Sequence, residues 1–143
     1  IVEADAINAL LEADQLVIAC GGGGIPVLEQ GQDLKGASAV IEKDTAAGLL
    51  AQTVDADMLV ILTSVDKVCL HFGTEQEQAL DYLSVEDASR YAGQGMFGAD
   101  DMLPKIRAAI EFIGDSAIRK VLITRLKGQE KTIAGQRGTM IGK

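Results

Sequence analysis

The chain has 143 residues, a formal net charge of −8 and a hydrophobic content of 48%. That length suits one compact domain, and the hydrophobic content excludes a disordered chain. The negative charge disfavours binding to nucleic-acid phosphates, and no apolar run approaches the roughly 20 residues of a membrane helix.

The amino-terminal quarter of the sequence predicts a helix, a strand and a glycine turn, in that order. Residues 1–13 have a helical pattern with one apolar face. Residues 15–20 form an apolar run without alternation, which predicts a parallel strand buried on both faces. The run ends at four glycines, residues 21–24. Residues 25–36, which hold a proline and two more glycines, are typical of turns or a short hairpin.

The middle of the chain predicts a second helix followed by a second buried strand. Asp44 is a favourable N-cap for a helix over residues 45–54, because its side chain can accept a hydrogen bond from the first turn. Residues 58–63 form another unbroken apolar run of the kind found in parallel sheets. Helix and strand are therefore expected to alternate here.

The carboxyl-terminal part predicts two helices and two strands. Ser84, with an acid three positions later, resembles a capping box and predicts a helix that ends near Gln94. Pro104 begins another helix, whose apolar positions recur every three or four residues. Residues 120–124 predict a third strand, and residues 139–141 a short last one. The alternation predicts an α/β fold with a mainly parallel sheet.

The glycine run Gly21, Gly22, Gly23 and Gly24 follows the first predicted strand, where ligands of open parallel sheets bind. Without side chains, backbone N–H groups can approach an anion closely. The run matches neither the dinucleotide fingerprint nor the Walker motif. A tight turn is the alternative. A turn alone does not require four glycines, however, and ordering four of them costs much chain entropy on folding. The pattern therefore favours an anion site.

Charged residues stand at two of the predicted helix starts. Lys43 either contacts a phosphate while Asp44 holds it in place, or forms a surface ion pair that contributes little. Lys105 opposes the dipole of its helix, which makes sense where an anion is bound, although an exposed lysine tolerates the penalty. Residues 63–68 could line a binding site for a purine base, but an ordinary connection from a strand to a loop has the same sequence pattern. The residues alone leave each choice open.

The cysteines and the histidine give little sign of a metal site. Cys20 and Cys69 stand far apart and lack a CxxC neighbour, and His71 is the single histidine. We therefore expect no protein-held metal. Two distant cysteines also disfavour a disulfide-stabilised secreted fold, so a reducing, cytoplasmic location is expected.

Taken in order, four segments resemble the carboxyl-terminal half of carbamate kinase, a member of the amino acid kinase superfamily. They are VIACGGGGIPV (17–27), GASAVIEKD (36–44), LTSVDKV (62–68) and residues 97–105. The resemblance covers essentially all 143 residues, and GGGGIPV and EKD are its most specific parts. It implies a three-layer α/β/α sandwich in which residues 1–143 form one nucleotide-binding lobe.

The resemblance also implies an activity. Carbamate kinase transfers phosphate reversibly between ATP and carbamate in arginine metabolism, with ATP or ADP and with Mg²⁺ carried by the nucleotide. The implied partners are the nucleotide and a small-acid substrate, with no nucleic acid and no membrane, and the whole protein would be a homodimer. Lys43 and Lys105 would contact the transferred phosphates, and Asp44 would orient the two lysines. The implied nucleotide contacts are Gly21 to Gly24 at the reacting phosphate, Val65, Val68 and Met96 near the adenine, and also Thr63, Ser64 and Met102.

One departure from the family pattern concerns length. The sequence has no initiator Met and no signal peptide, and it lacks the GGN and HGNGPQVG segments of the family's amino-terminal half. We therefore expect a fragment with little or no kinase activity. Two alternatives stay open, namely a non-catalytic nucleotide-binding paralogue and another small-acid kinase of the superfamily.

A second departure lies beside the proposed phosphate site. Where relatives usually read PGSMLPK, this chain reads ADDMLPK over residues 99–105. Asp100 and Asp101 either neutralise the dipole of the following helix, weaken ATP binding, bind Mg²⁺ or mark a divergent paralogue.

The charge distribution suggests a further alternative, a polyanion-binding segment. Residues 1–104 carry 18 acidic and 4 basic residues, whereas residues 105–143 carry 9 basic and 3 acidic ones. The overall acidity disfavours this function, and blocks of charge usually form solvated surface.

Overall fold

The structure is a computed structural model that describes residues 1–126 and 137–143. Its helices and strands confirm the predicted alternation over most of the chain. In chain order they are α1 (Ala4–Glu12), β1 (Val27–Gln30), β2 (Asp33–Gly36), α2 (Lys43–Thr53), β3 (Met58–Thr63), β4 (Cys69–Leu70), β5 (Gln78–Ala79), β6 (Tyr82–Ser84), α3 (Val85–Gly93), α4 (Met102–Ile113), β7 (Lys120–Arg125) and β8 (Thr139–Gly142).

The main sheet contains four strands in the order β3–β7–β8–β6. β3 pairs with β7 in parallel, and β6 pairs with β8 in parallel, whereas β7 and β8 are antiparallel. The predicted α/β fold with a mainly parallel sheet is confirmed. The antiparallel pair was not predicted, because the direction of a strand depends on its connection and not on its own residues.

The core lies between this sheet and α4. That helix contacts α2, α3, β3 and β7. The apolar repeat that predicted α4 is its buried face, since Ile106, Ala109 and Ile113 are fully buried. Strand side chains from β3, β7 and β8 pack into the same cluster; they are Ile61, Val121, Ile123 and Ile141.

α2 and α4 run side by side in the same direction. Gly48 faces Ala108 so closely that a Cβ on Gly48 would lie 3.3 Å from the Ala108 carbonyl oxygen. One turn further along both helices, the Gln52 side chain donates a hydrogen bond to the Glu111 carbonyl. The two helices therefore begin at the same end of the molecule. No helix in the described part of the chain is both long and apolar enough to span a bilayer.

The capping signal of α3 is confirmed. Ser84 is its N-cap, and Ser84 Oγ accepts a hydrogen bond from the Asp87 N–H at 3.0 Å. The second and fourth helices begin slightly earlier than predicted. α2 starts at Lys43, and α4 starts two residues before Pro104, which lies in its first turn, where its missing N–H is not needed.

Residues 25–36, predicted to form turns or a short hairpin, form the hairpin as the antiparallel pair β1 and β2. The predicted strand over residues 15–20 is wrong for this structure. These residues form no strand, and the Leu16 and Ile18 side chains are 95% and 93% exposed. An apolar run becomes a buried strand only beside a pairing partner, and none of the described residues pairs with it.

Candidate functional site

The first turns of α2 and α4 meet at one buried ion pair. One turn before the contact of Gly48 with Ala108, Lys105 Nζ donates to Asp44 Oδ2 at 3.2 Å. Only 5% of the Lys105 side chain and 11% of the Asp44 side chain are exposed. The N-termini of both helices therefore lie at the same end as the pair, and helix N-termini favour negative charge.

Lys105 makes two further hydrogen bonds at the start of α4. Its Nζ donates to Asp101 Oδ1 at 2.6 Å and to the Asp101 carbonyl oxygen at 3.1 Å. A lysine ammonium has three N–H donors. All three donors of Lys105 are therefore engaged, two of them by Asp101.

These contacts keep Lys105 charged. Burial disfavours the ammonium, but the hydrogen bonds to Asp101 and Asp44 and the two nearby negative charges outweigh burial. The pKa of Lys105 is accordingly raised above its ordinary value. A permanent cation is thus held at the start of two helices.

Asp44 is not the N-cap of α2, so that prediction is wrong. The N-cap is Glu42, whose Oε2 accepts from the N–H of Asp44 at 2.6 Å and of Thr45 at 3.4 Å. Asp44 lies within the first turn and faces Lys105. Glu42 was missed because Asp is the commoner cap residue and stood two positions later. The available signal was the second acidic residue in the segment Ile-Glu-Lys-Asp, since Glu42 precedes Asp44 by two positions.

The pKa of Glu42 is lowered below its ordinary value. Its slight burial acts in the opposite direction, but the backbone hydrogen bonds from Asp44 and Thr45 and the charge of Lys43 stabilise the carboxylate more strongly. The cap is therefore ionised under neutral conditions.

Lys43 lies at the rim of this site. Its side chain is 60% exposed, and its Nζ is 3.5 Å from Glu42 Oε1. An exposed pair of this kind holds its lysine weakly. Lys43 can therefore leave Glu42 for a stronger anion.

The glycine run packs beside the start of α2. Gly23 has a φ of +147°, and a Cβ there would lie 2.5 Å from the carbonyl oxygen of Ile41, the residue before the Glu42 cap. Gly21 also has a positive φ, of +44°, and no atom lies within 4 Å of a Cβ placed on Gly21 or Gly22. The structure thus brings the glycine run close to the segment that carries Lys43 and Asp44.

The residues expected near the base are placed differently from one another. Thr63 ends β3, and Ser64 and Val65 follow it directly. Val68 is fully buried in the core, and its N–H donates to Thr139 Oγ1 at 2.8 Å. The side chain of Val68 therefore supports the fold and does not reach the surface.

Two methionines are predicted nucleotide contacts, of which Met96 is predicted to lie near the adenine. Met96 and Met102 are partly buried and pack against the core. Met102 is the first residue of α4, three positions before Lys105. Their nucleotide contacts stay a prediction.

The two aspartates that depart from the family pattern differ from each other. Asp101 contacts Lys105, whereas Asp100 is exposed and forms no side-chain hydrogen bond or ion pair within the described residues. Within residues 1–126 and 137–143, no three His, Cys, Asp or Glu side chains are grouped to hold a metal ion.

Comparison with known proteins identifies the family. The profile of the amino acid kinase family matches residues 1–124. This chain belongs to that family. It is 50% identical over 141 residues to the carbamate kinase-like protein YqeA of Escherichia coli, and 42% identical over 143 residues to a carbamate kinase of Clostridium perfringens.

This amino acid kinase chain is also similar to a solved carbamate kinase structure. It matches the carbamate kinase of Giardia lamblia bound to AMP-PNP with a TM-score of 0.93 and 37% identity, over 99% of this chain and 50% of that one. The chain also spans 46% of the length of both curated relatives named above. The similarity to carbamate kinases therefore concerns about half of their length.

Proposed function

We propose that residues 1–143 form the ATP-binding half of a carbamate kinase-like phosphotransferase. The observation that carries the proposal is the buried Lys105, which is charged and held by Asp44 where α2 and α4 begin. Family membership supports it, and so does the similarity to carbamate kinases, one of which was solved with AMP-PNP. The reaction proposed for the whole protein is the reversible transfer of phosphate between ATP and carbamate.

Phosphoryl transfer asks for placement and charge neutralisation and for little covalent chemistry by the protein. Lys43 and Lys105 supply two positive charges in this proposal, one exposed and one buried. Asp44 fixes the position of Lys105, because both side chains are almost fully enclosed. A Cβ on Gly21 or Gly22 would enter open space, so the backbone at these two glycines leaves room for a phosphate oxygen to approach it.

The remaining nucleotide contacts are assigned to residues around the end of β3 and the start of α4. Thr63, Ser64, Val65 and Met96 would lie near the base, with Val68 behind them in the core. Met102 would be a further nucleotide contact. Mg²⁺ would be bound by the nucleotide phosphates, as the resemblance to carbamate kinase implies, and would neutralise their charge there.

The chain alone would have little or no kinase activity in this proposal, because it spans only about half of its relatives. Carbamate is the proposed acceptor, and another small acid is the alternative. The whole protein is proposed to be a cytoplasmic homodimer of arginine metabolism, which rests on the resemblance to carbamate kinase alone.

Calorimetry with ATP and ADP tests the nucleotide site. The chain should bind both, and Lys43→Met should weaken binding at least about tenfold, the loss expected for a charge-assisted contact. Arg107→Met is the matched control, since Arg107 is an exposed cation on α4 and should leave binding within about twofold. Absence of nucleotide binding, or an equal loss in both variants, would contradict the proposal.

Asp101 favours one second candidate, a nucleotide-binding paralogue without kinase activity. Its carboxylate lies against the lysine that the transferred phosphate would need. The two candidates differ in turnover. Formation of ATP from ADP and carbamoyl phosphate by the full-length protein would establish the kinase, whereas nucleotide binding without turnover would establish the paralogue.

A further inference from the structure

We propose that Asp101 is a built-in competitor for phosphate at Lys105. The inference rests on the proposed function, because it concerns the same phosphate site. It states that a phosphate oxygen binds Lys105 only when the Asp101 carboxylate leaves it. Asp101 thereby sets the affinity of the site for phosphate-bearing ligands.

The donors of Lys105 provide the first argument. Its three N–H groups are divided between Asp44 Oδ2, Asp101 Oδ1 and the Asp101 carbonyl oxygen. A new oxygen ligand must therefore displace one of these partners.

Exposure decides which partner can be displaced. The Asp44 side chain is 11% exposed, so separating it from Lys105 would leave a buried carboxylate without its counterion. The Asp101 side chain is 64% exposed, so its carboxylate can be hydrated when it leaves Lys105. Asp101 is thus the exchangeable ligand and Asp44 the permanent one.

The first-turn N–H groups of α4 are an alternative partner for the Asp101 carboxylate, but only after a change in its backbone. It occupies the N-cap position of α4, yet its side chain makes no capping hydrogen bond. Asp is among the most favourable N-cap residues, because its carboxylate accepts from the N–H groups of the first turn. Its φ of −131° and ψ of −61° are unlike the extended backbone of ordinary caps, so capping would require rotation of its backbone. The contact with Lys105 therefore replaces the cap.

Charge supports the same conclusion. Asp44, Asp101 and Lys105 together carry one net negative charge, which repels a phosphate. When Asp101 moves away, the remaining pair of Asp44 and Lys105 is neutral. Removing the Asp101 charge should therefore strengthen phosphate binding, whereas a residue that positions Lys105 for phosphate would have the opposite effect.

The test compares Asp101→Asn and Asp101→Ser with Asp100→Asn. Asp100 is the matched control, since it carries the same charge one position away and forms no side-chain hydrogen bond or ion pair within the described residues. Calorimetry with ADP and with pyrophosphate should show at least about fivefold tighter binding in both Asp101 variants and less than about twofold change in the control. Urea unfolding of each variant verifies that it is folded.

The outcomes separate this inference from the proposed function. Equal effects of the Asp100 and Asp101 variants, or weaker binding without Asp101, would overturn the inference and leave the nucleotide site intact. Tighter pyrophosphate binding without any ADP binding would support the inference and overturn the nucleotide function. Absence of binding of both probes in all proteins would overturn both.

Discussion

Lys105 Nζ donates to Asp44 Oδ2 across 3.2 Å, and this contact joins the first turn of α4 to the first turn of α2. A buried ion pair stabilises a protein less than its Coulomb attraction suggests, because both charges lose their water. Removing only one partner destabilises the protein strongly, because the other charge stays buried without a partner. The pair therefore fixes the geometry of the site.

Replacement of Lys105 should destabilise the chain strongly. We expect Lys105→Met to lower the free energy of unfolding by about 3–5 kcal/mol, because Asp44 is then buried without its counterion. The double variant Lys105→Met with Asp44→Asn removes both charges and should recover much of that loss. Urea unfolding of the wild type, the two single variants and the double variant measures the coupling.

Arg107→Met is the control for this cycle, because it removes an exposed cation two positions away and should change stability by about 0.5 kcal/mol or less. If Lys105→Met and the control had the same effect, the buried pair would not hold the two helices together.

The sequence predicted the local elements well because their signals are local. The apolar repeat of α4 and the Ser84 cap of α3 depend on residues three or four positions apart. The contact of Asp44 with Lys105 spans 61 positions and has no such signal. Only the resemblance to carbamate kinase placed both residues in one site before the structure did.

The glycine run gives a position-specific prediction. Gly23→Ala should lower the free energy of unfolding by about 1–3 kcal/mol, because its φ of +147° is strained for alanine and the new Cβ would meet the Ile41 carbonyl oxygen. Gly22→Ala is the control, since its Cβ would enter open space. The urea midpoints of the two variants measure the difference, and an equal shift in both would show that Gly23 is not constrained by Ile41.

The Glu42 cap predicts a dependence of stability on pH. The pKa of Glu42 is lowered in the folded chain, so its stabilising effect is complete above its ordinary pKa of 4.5 and is lost as pH falls through the folded pKa. Relative to Glu42→Gln, the wild type should lose up to about 1 kcal/mol, the usual worth of a side-chain cap, on acidification. Urea unfolding of both proteins from about pH 7 to about pH 3 measures this difference. A difference that does not vary with pH would contradict the role of the ionised cap.

The first predicted strand shows where sequence reasoning fails. The apolar pattern of residues 15–20 was interpreted as burial, yet a strand is buried by its neighbours and not by its own composition. β3 is an edge strand with Met58, Val60 and Leu62 substantially exposed, and it pairs only with β7 among the described strands. Neither the edge position of β3 nor the exposure of its side chains can be predicted from the sequence of residues 15–20.

The exposed side chains of Leu16 and Ile18 predict that the chain self-associates through apolar surface. Leu16→Ser with Ile18→Ser should reduce light scattering at high protein concentration, because both side chains are more than nine-tenths exposed. The same double variant should change the free energy of unfolding by no more than about 0.5 kcal/mol, since little packing is lost. Gln15→Ser, which alters the neighbouring polar side chain, should leave the scattering unchanged. A double variant that unfolds more easily would show instead that residues 15–20 are packed in solution.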